Sequence, residues 1–321
     1  MDVNLRFWSA EGKSFFQRFL HWADILDPTV LLKSRKEIEK SRLLLETSVQ
    51  NLKEPVQDEQ VKQAMKISLS SVHPGTGNII PVVFRSPAFL PIASPMFFAS
   101  FIQHRGAKQT FIWQLLFHAY TAGFAIANGN AAAKAEEITL SEKRLLLTTG
   151  AISYAALLGT FPRYVMTKHR LTNPSVQMFF GRILPIPLLA CLGAFNVLVA
   201  RGTEYENGIE VMDKDGNVIG VSKKAGMKAV EETALSRGAL FGAALLIPES
   251  LLYFIQGSNF LLKNPHALAP LRLLLMVSSI GVLLPVSFSV FPQLGEIKRD
   301  DLETEILSST EETQLFYNRG V

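Results

Sequence analysis

The chain has 321 residues, 48% of them hydrophobic and 19% charged, and its 32 Lys and Arg against 28 Asp and Glu give a net charge of +4. So small and dispersed a surplus excludes a nucleic-acid binder working through charge, and neither a zinc finger nor an aromatic single-strand platform accompanies it. The single cysteine, Cys191, cannot form an intramolecular disulfide and reads as a small buried hydrophobe.

The average hides a segregation. Charges crowd into residues 1 to 85, 201 to 237 and 296 to 321, which divides the chain into a polar N-terminal helical region (1 to 85), a transmembrane domain (86 to 295) with a polar loop (201 to 237), and a polar tail (296 to 321). The N-terminus lacks the apolar core and cleavage site of a secretory signal, and Asp2 and Glu11 oppose an acid-poor cleaved presequence, so targeting information is expected to be internal. Residues 14 to 26 place Phe15, Phe16, Phe19, Leu20 and Ile25 among polar positions, a pattern for an amphipathic helix that lies on a membrane surface or packs against the protein's own body. Ser34 and Glu37 have capping-box spacing and predict a helix through about Leu45. A second helix is predicted from Asp58 to Val72, ended by the turn His73-Pro74-Gly75-Thr76-Gly77-Asn78.

Apolar windows follow. Residues 86 to 104 carry Pro87, Pro91 and Pro95 and predict a bent, broken or re-entrant segment. Residues 109 to 133 run 25 positions without a formal charge, about 37 Å as a helix against a hydrocarbon core of about 30 Å. Windows at 145 to 162, 183 to 200 and 273 to 295 are also uncharged, and 238 to 262 carries only Glu249. Runs of this length rarely recur so often in soluble chains, so the expected fold is an all-α polytopic membrane protein with five or six transmembrane helices, some broken at Pro185, Pro187, Pro248 or Pro285. Between the fourth and fifth windows, Ile209 to Val211 and Val218 to Val221 around Asp215-Gly216 predict a short β-hairpin, and Lys223 to Arg237 an amphipathic approach to the membrane. Loops 105 to 108, 163 to 182 and 263 to 272 carry only basic charges and fall on one side if all six windows span, but the other side is long and mixed, so charge does not fix orientation.

Polar groups inside the windows are the candidate functional residues. Gln114, His118 and Thr121 share one helical face at i, i+4 and i+7, with Asn128 further along. Such a face points to neighbouring helices, as interhelical hydrogen bonding or as a substrate path. Asn196 has the same two readings. Glu249, a carboxylate costing about 2.5 to 3.5 kcal/mol near a helix centre, needs a partner, a proton or water, and Tyr253 and Gln256 are the nearest candidates in sequence. No phosphate loop, nucleophile elbow, zinc-protease motif or cysteine pair is present, and the six histidines are scattered, so neither enzyme chemistry, a cofactor nor a metal site is expected.

Asp27-Pro28, the turn at His73 to Gly77, Trp113-Gln114 with Asn128, Thr148-Thr149-Gly150-Ala151, Thr167-Lys168-His169, Gly181-Arg182 with Pro185, Asn196 with Arg201, Asp215-Gly216-Asn217, Ser236-Arg237, Phe291-Pro292-Gln293 and Asn318-Arg319-Gly320 resemble, in order and spacing, the sideroflexins over essentially the whole chain. The resemblance implies a multi-pass protein of the mitochondrial inner membrane, embedded among membrane lipids, whose better-known relatives carry serine and other small amino acids. Transporting members show an asparagine stripe where this chain has Phe117, Thr121 and Ala125, keeping only Asn128, and the usual His-Pro-Asp-Thr-Gly-Glu turn has Gly75 and Asn78 in place of its acids. The expectation is therefore a carrier of an amino acid or related small metabolite other than serine. For one branch of the family the resemblance implies instead a non-transporting partner of complex I assembly factors, with a role in iron–sulfur and haem homeostasis.

Overall fold

The computed structural model describes residues 2–11, 13–51, 59–101, 106–130, 138–255 and 257–321. Parts of three apolar windows (102 to 104, 131 to 133 and 256, hence Gln256) lie outside the described residues. The chain is mostly helical. Four helices precede the apolar body: α1 (Val3–Glu11), α2 (Phe15–Ile25), α3 (Arg35–Asn51) and α4 (Glu59–Ser71). The predicted capping box is present, since Glu37 N donates to Ser34 Oγ at 3.3 Å and Ser34 N donates to Glu37 Oε2 at 2.8 Å. The helix it starts runs past Leu45 to Asn51. The turn after α4 closes through His73 N to Asn78 O and Gly77 N to His73 O, both 2.9 Å.

The body contains α5 (Phe89–Phe101), α6 (Ala107–Asn128), α7 (Ile138–Lys168), the short α8 (Pro174–Met178) leading into α9 (Pro185–Ala200), then α10 (Gly202–Asn207), strands β1 (Ile209–Met212) and β2 (Val218–Ser222), α11 (Lys223–Ile255), α12 (Asn259–Lys263) and α13 (Leu268–Ser289). Among the described residues four helices are both long and apolar enough to cross a bilayer: Glu142–Lys168, Pro174–Ala200, Lys223–Ile255 and Pro265–Ser289. The other two expected spans each miss one criterion. α5 has 13 residues and rises only about 20 Å, its approach being spent in 3-10 turns at Val82–Phe84 and Ser86–Ala88. α6 has the length, but its polar face lowers its hydropathy.

The expected breaks at proline are fewer than the sequence suggests. α5, α11 and α13 continue through Pro95, Pro248 and Pro285. Among the described residues, helical geometry changes instead at Ser86–Ala88, a 3-10 turn holding Pro87, at Pro265–Ala267 before α13, and at the α8–α9 junction, a π turn over Phe179–Ile183 whose Leu184 N reaches back to Phe179 O at 2.8 Å. Pro185, which has no N–H to place, follows it. Successive helices alternate direction. Arg144 near the start of α7 donates to Ala200 O at the end of α9, and Ser287 near the end of α13 donates to Ser236 O in the first half of α11. The tightest pair is α9 with α11, where small residues let backbones approach: a Cβ on Gly238 would lie 3.0 Å from Ala190 O, and one on Gly242 3.1 Å from Ala190 Cβ. Large apolar side chains point outward, among them Leu146, Leu157, Leu274 and Val282, as expected of a surface solvated by lipid. Cys191 is exposed on α9 rather than buried, next to Ala190, which takes the close approach of α11.

At one end of the body the predicted hairpin becomes half of a four-stranded antiparallel sheet of order β2-β1-β4-β3, completed by β3 (Leu294–Lys298) and β4 (Gln314–Asn318), with the one-turn helix α14 (Thr304–Leu307) between them. The hairpin turn is fixed by Asp213, whose Oδ1 accepts Asn217 N at 2.8 Å, and by Gly216 at φ 85°. Ile209, Val211, Ile297, Leu315 and Tyr317 pack the sheet's inner face onto Ala225 and Ala229 of α11. Strand β4 pairs with β1 through Val211–Tyr317 and Met212–Phe316, so the polar tail is part of the fold's closure.

Candidate functional site

Of the sequence candidates, the structure brings Gln114, His118, Thr121 and Asn196 together and separates Asn128 and Glu249. On α6, the helical spacing turns Gln114, His118 and Thr121 inward, and all three are buried. Asn196 of α9 meets them: its Nδ2 donates to His118 O at 2.9 Å and to Thr121 Oγ1 at 2.7 Å, while Thr121 Oγ1 donates to His118 O at 3.2 Å. Both ring nitrogens of His118 and the Oε1 of Gln114 are buried without a hydrogen-bond partner among the described residues. Each such atom costs about 1 to 3 kcal/mol if nothing polar reaches it, so this turn of α6 has pairing capacity to offer. Phe117 and Ala125, on either side of the hydrogen-bonded Thr121, are taken up by packing. Phe117 lies between Phe97 and Phe241, with ring centroids at 5.7 and 5.1 Å, and Ala125 sits in an apolar cluster with Val197, Ala200 and Val230.

A cavity of about 660 Å³ opens at the end of the body away from the sheet, lined by Thr110, Gly159, Arg163, Thr167, Gln177 and Arg182 among others. Two of the candidates stand just behind its wall. Gly159 presents no side chain toward Gln114, and a Cβ there would come within 2.7 Å of Gln114 Oε1. Arg182 contacts Glu249, with Nε to Oε2 at 3.7 Å. The second partner of Glu249 is Arg272 of α13, which donates to Oε1. Glu249 therefore ties three segments, the α8–α9 junction, α11 and α13, and α11 is continuous through it. Tyr253, expected as a partner within its own helix, is exposed instead. The real partners were marked in the sequence, since Arg182 and Arg272 immediately precede two of the uncharged windows.

Asn128 belongs to the opposite end. Its Nδ2 donates to Phe84 O and Phe124 O at 2.8 and 2.9 Å, and its carbonyl accepts Val321 N at 3.0 Å. Around it stands a buried ionic network not anticipated from sequence. Arg201 donates from Nε and Nη2 to the two oxygens of Glu204 at 2.6 and 2.7 Å, from Nη1 to Thr233 at 3.0 Å and from Nη2 to Arg319 O at 2.6 Å. Asn130 donates to Glu204 Oε2 and Asn318 O, and His73 Nε2 meets Gly129 O at 2.6 Å. Arg319 donates to Phe288 O at 2.9 Å, and burial, the largest influence on it, lowers its guanidinium to about 10. Arg237 lies 4.2 Å above the Phe288 ring and donates to Ser287. The available signal was Arg201 with Glu204 at i, i+3, directly after an apolar window. Among the described residues, no group of three or more His, Cys, Asp or Glu side chains is placed to hold a metal ion.

A family model described as Sideroflexins matches residues 2–321. The chain is 43% identical over 321 residues to Sideroflexin-4 of Danio rerio, covering the whole of both. It is 41% identical to Sideroflexin-4 of Homo sapiens, covering all of this chain and 93% of that one. Sideroflexin-5 of Homo sapiens is 31% identical over 309 residues, 96% of this chain and 90% of the relative. No solved structure matches the chain.

Proposed function

Since the chain belongs to the sideroflexin family, we propose that it is a multi-pass protein of the mitochondrial inner membrane that carries an amino acid or related small metabolite other than serine. The observation that carries this reading is the 660 Å³ cavity, open at one end and backed by Gln114 and Glu249. A pocket of this size suits a small metabolite. Gln114, His118, Thr121 and Asn196 then form the polar path beyond the cavity, with the free pairing capacity of Gln114 and His118 available to a polar substrate. Asn128 lies on the sealed side of that path, and Glu249 holds the cavity's wall. Serine is disfavoured because Phe117 and Ala125 occupy, in close packing, the positions where a zwitterion-binding asparagine stripe would stand.

The test is uptake of a panel of labelled amino acids into proteoliposomes. Uptake of at least one, with serine no better than an empty-liposome control, supports the reading, and absence of any uptake sinks it. A second reading is favoured by the same packed stripe: a non-transporting partner that assists complex I assembly, with a bearing on iron–sulfur and haem homeostasis. Affinity capture of the tagged protein from mitochondria separates the two, because that reading requires complex I assembly factors in the eluate.

A further inference from the structure

Helix α2 has two unlike faces. It starts from a capping box of its own, in which Gln17 N donates to Ser14 Oγ at 3.2 Å and Ser14 N donates to Gln17 Oε1 at 3.0 Å, so its orientation is fixed from the first turn. One face docks on the end of the body. Trp22 meets Phe288 edge-on at 4.9 Å and stacks on Trp8 at 5.2 Å, and Arg18 Nε donates to Ser289 O at 2.9 Å, with Nη2 reaching Val290 O at 3.4 Å. The opposite face is apolar and uncovered: Phe16 is 75% exposed and Leu20 67%, with Phe15 beside them at 38%.

The location of this face identifies its partner. Arg18 binds the carbonyls where α13 ends, and α13 is a membrane-length helix with Leu274, Val277 and Val282 exposed along it, while Val290, just past its end and bonded to Arg18, is exposed again. The uncovered face of α2 thus stands beside the exposed Val290 at the end of a membrane-length helix, where such a helix would leave the hydrocarbon. Val82 and Val83, about half exposed, lead into α5 at the same end of the body, and Tyr120 of α6 holds them there by donating to Val83 O at 3.0 Å. Large apolar side chains at that depth fit the boundary between headgroups and acyl chains, as in helices that lie in the interface plane.

We propose that α2 lies in the bilayer interface on the sheet side, with Phe16 and Leu20 inserted among the lipids while Arg18 and Trp22 hold it to α13. The occupant of the exposed face is lipid, not a second protein.

The experiment places single nitroxide-labelled cysteines at Phe16, Leu20 and Lys36 in a Cys191→Ala background, reconstituted in nanodiscs of phosphatidylcholine with phosphatidylglycerol. Collision with oxygen and with a water-soluble nickel chelate is then read at each position. The ratio of oxygen to nickel accessibility should be at least about threefold higher at Phe16 and Leu20 than at Lys36, as for groups at the acyl boundary. Equal ratios would overturn the proposal, as would exclusion of both reagents at Phe16 and Leu20, the mark of a protein contact. As a second variant, Phe16→Asp with Leu20→Asp alters only the exposed face and should leave thermal unfolding in detergent unchanged. It should also bring a label at Ala23 to the Lys36 ratio, and persistence of a lipid-like ratio at Ala23 would count equally against insertion.

Discussion

The two ends of the helical body each hold a carboxylate bound to arginine, and they do so in opposite ways. At the sheet end, Glu204 and Arg201 are about 1% exposed, and the pair is extended by Asn130, Thr233 and the Arg319 carbonyl until nearly every donor is used. At the far end, the Glu249 side chain is 13% exposed and shared between arginines that are 24% and 38% exposed beside an open cavity. Complete hydrogen bonding is what makes the first pair stable at full burial, and partial solvation is what makes the second replaceable. A seal and an opening are thus built from the same two residue types, with desolvation deciding which is which.

The contrast is most directly broken at its buried end. Arg201→Met should destabilise the protein by about 3 to 5 kcal/mol, the usual cost of leaving one member of a buried pair alone, read as a lower thermal midpoint in detergent. Arg201→Met with Glu204→Leu should recover a large part of that loss, and no recovery would mean that the network, rather than the pair, sets the stability. The next effect in size comes from glycine. A Cβ on Gly226 would lie 2.1 Å from Glu204 O, a backbone atom, so Gly226→Ala should cost about 1 to 3 kcal/mol. At the open end, a Cβ on Gly181 would make ordinary contact with the flexible Met166 side chain, Sδ at 3.5 Å and Cε at 3.7 Å, so Gly181→Ala should change stability by about 0.5 kcal/mol or less. Equal costs in the same unfolding assay would remove the difference in packing between the two ends.

Glu249→Gln should change the thermal midpoint little, because partly exposed ion pairs contribute about 1 kcal/mol or less. Under the carrier reading proposed above, its expected mark is functional: proteoliposome uptake should fall at unchanged abundance. The smallest effect is a pH limb among the helices at the sheet end. The hydrogen bond from Lys66, assisted by the Thr29 backbone N–H, holds Asp27 down to about 2. A carboxylate depressed in the folded state adds stability that is full above its unfolded value near 4 and is lost as pH falls toward 2. Asp27→Asn should therefore flatten the thermal midpoint between pH 4 and 2 and lower it slightly above pH 4.

What could be read from sequence was what local periodicity encodes. The inward face of Gln114, His118 and Thr121 follows from 3.6 residues per turn, the Ser34 cap from a three-residue spacing, and the hairpin from its Asp-Gly turn. What escaped was pairing over distance. Spacing along α11 offers Glu249 only residues of its own helix, whereas its partners come from two other segments, and nothing local announces that residues 294 to 298 and 314 to 318 extend the hairpin. Asn128 shares a face with Thr121 yet stands two turns further along, in a different environment, because a helical wheel discards height.

The pairing of β4 with β1 has a consequence for biogenesis. The hydrogen bonds from Arg201 to Arg319 and from Asn130 to Asn318 join residues 118 and 188 positions apart, and the intervening chain contains α11 and α13. Contacts of such separation form late, after the local helices that precede them. The sheet-end closure must therefore wait until both helices have been inserted, so an insertion intermediate that lacks α13 would hold Arg201 and Glu204 without their cover.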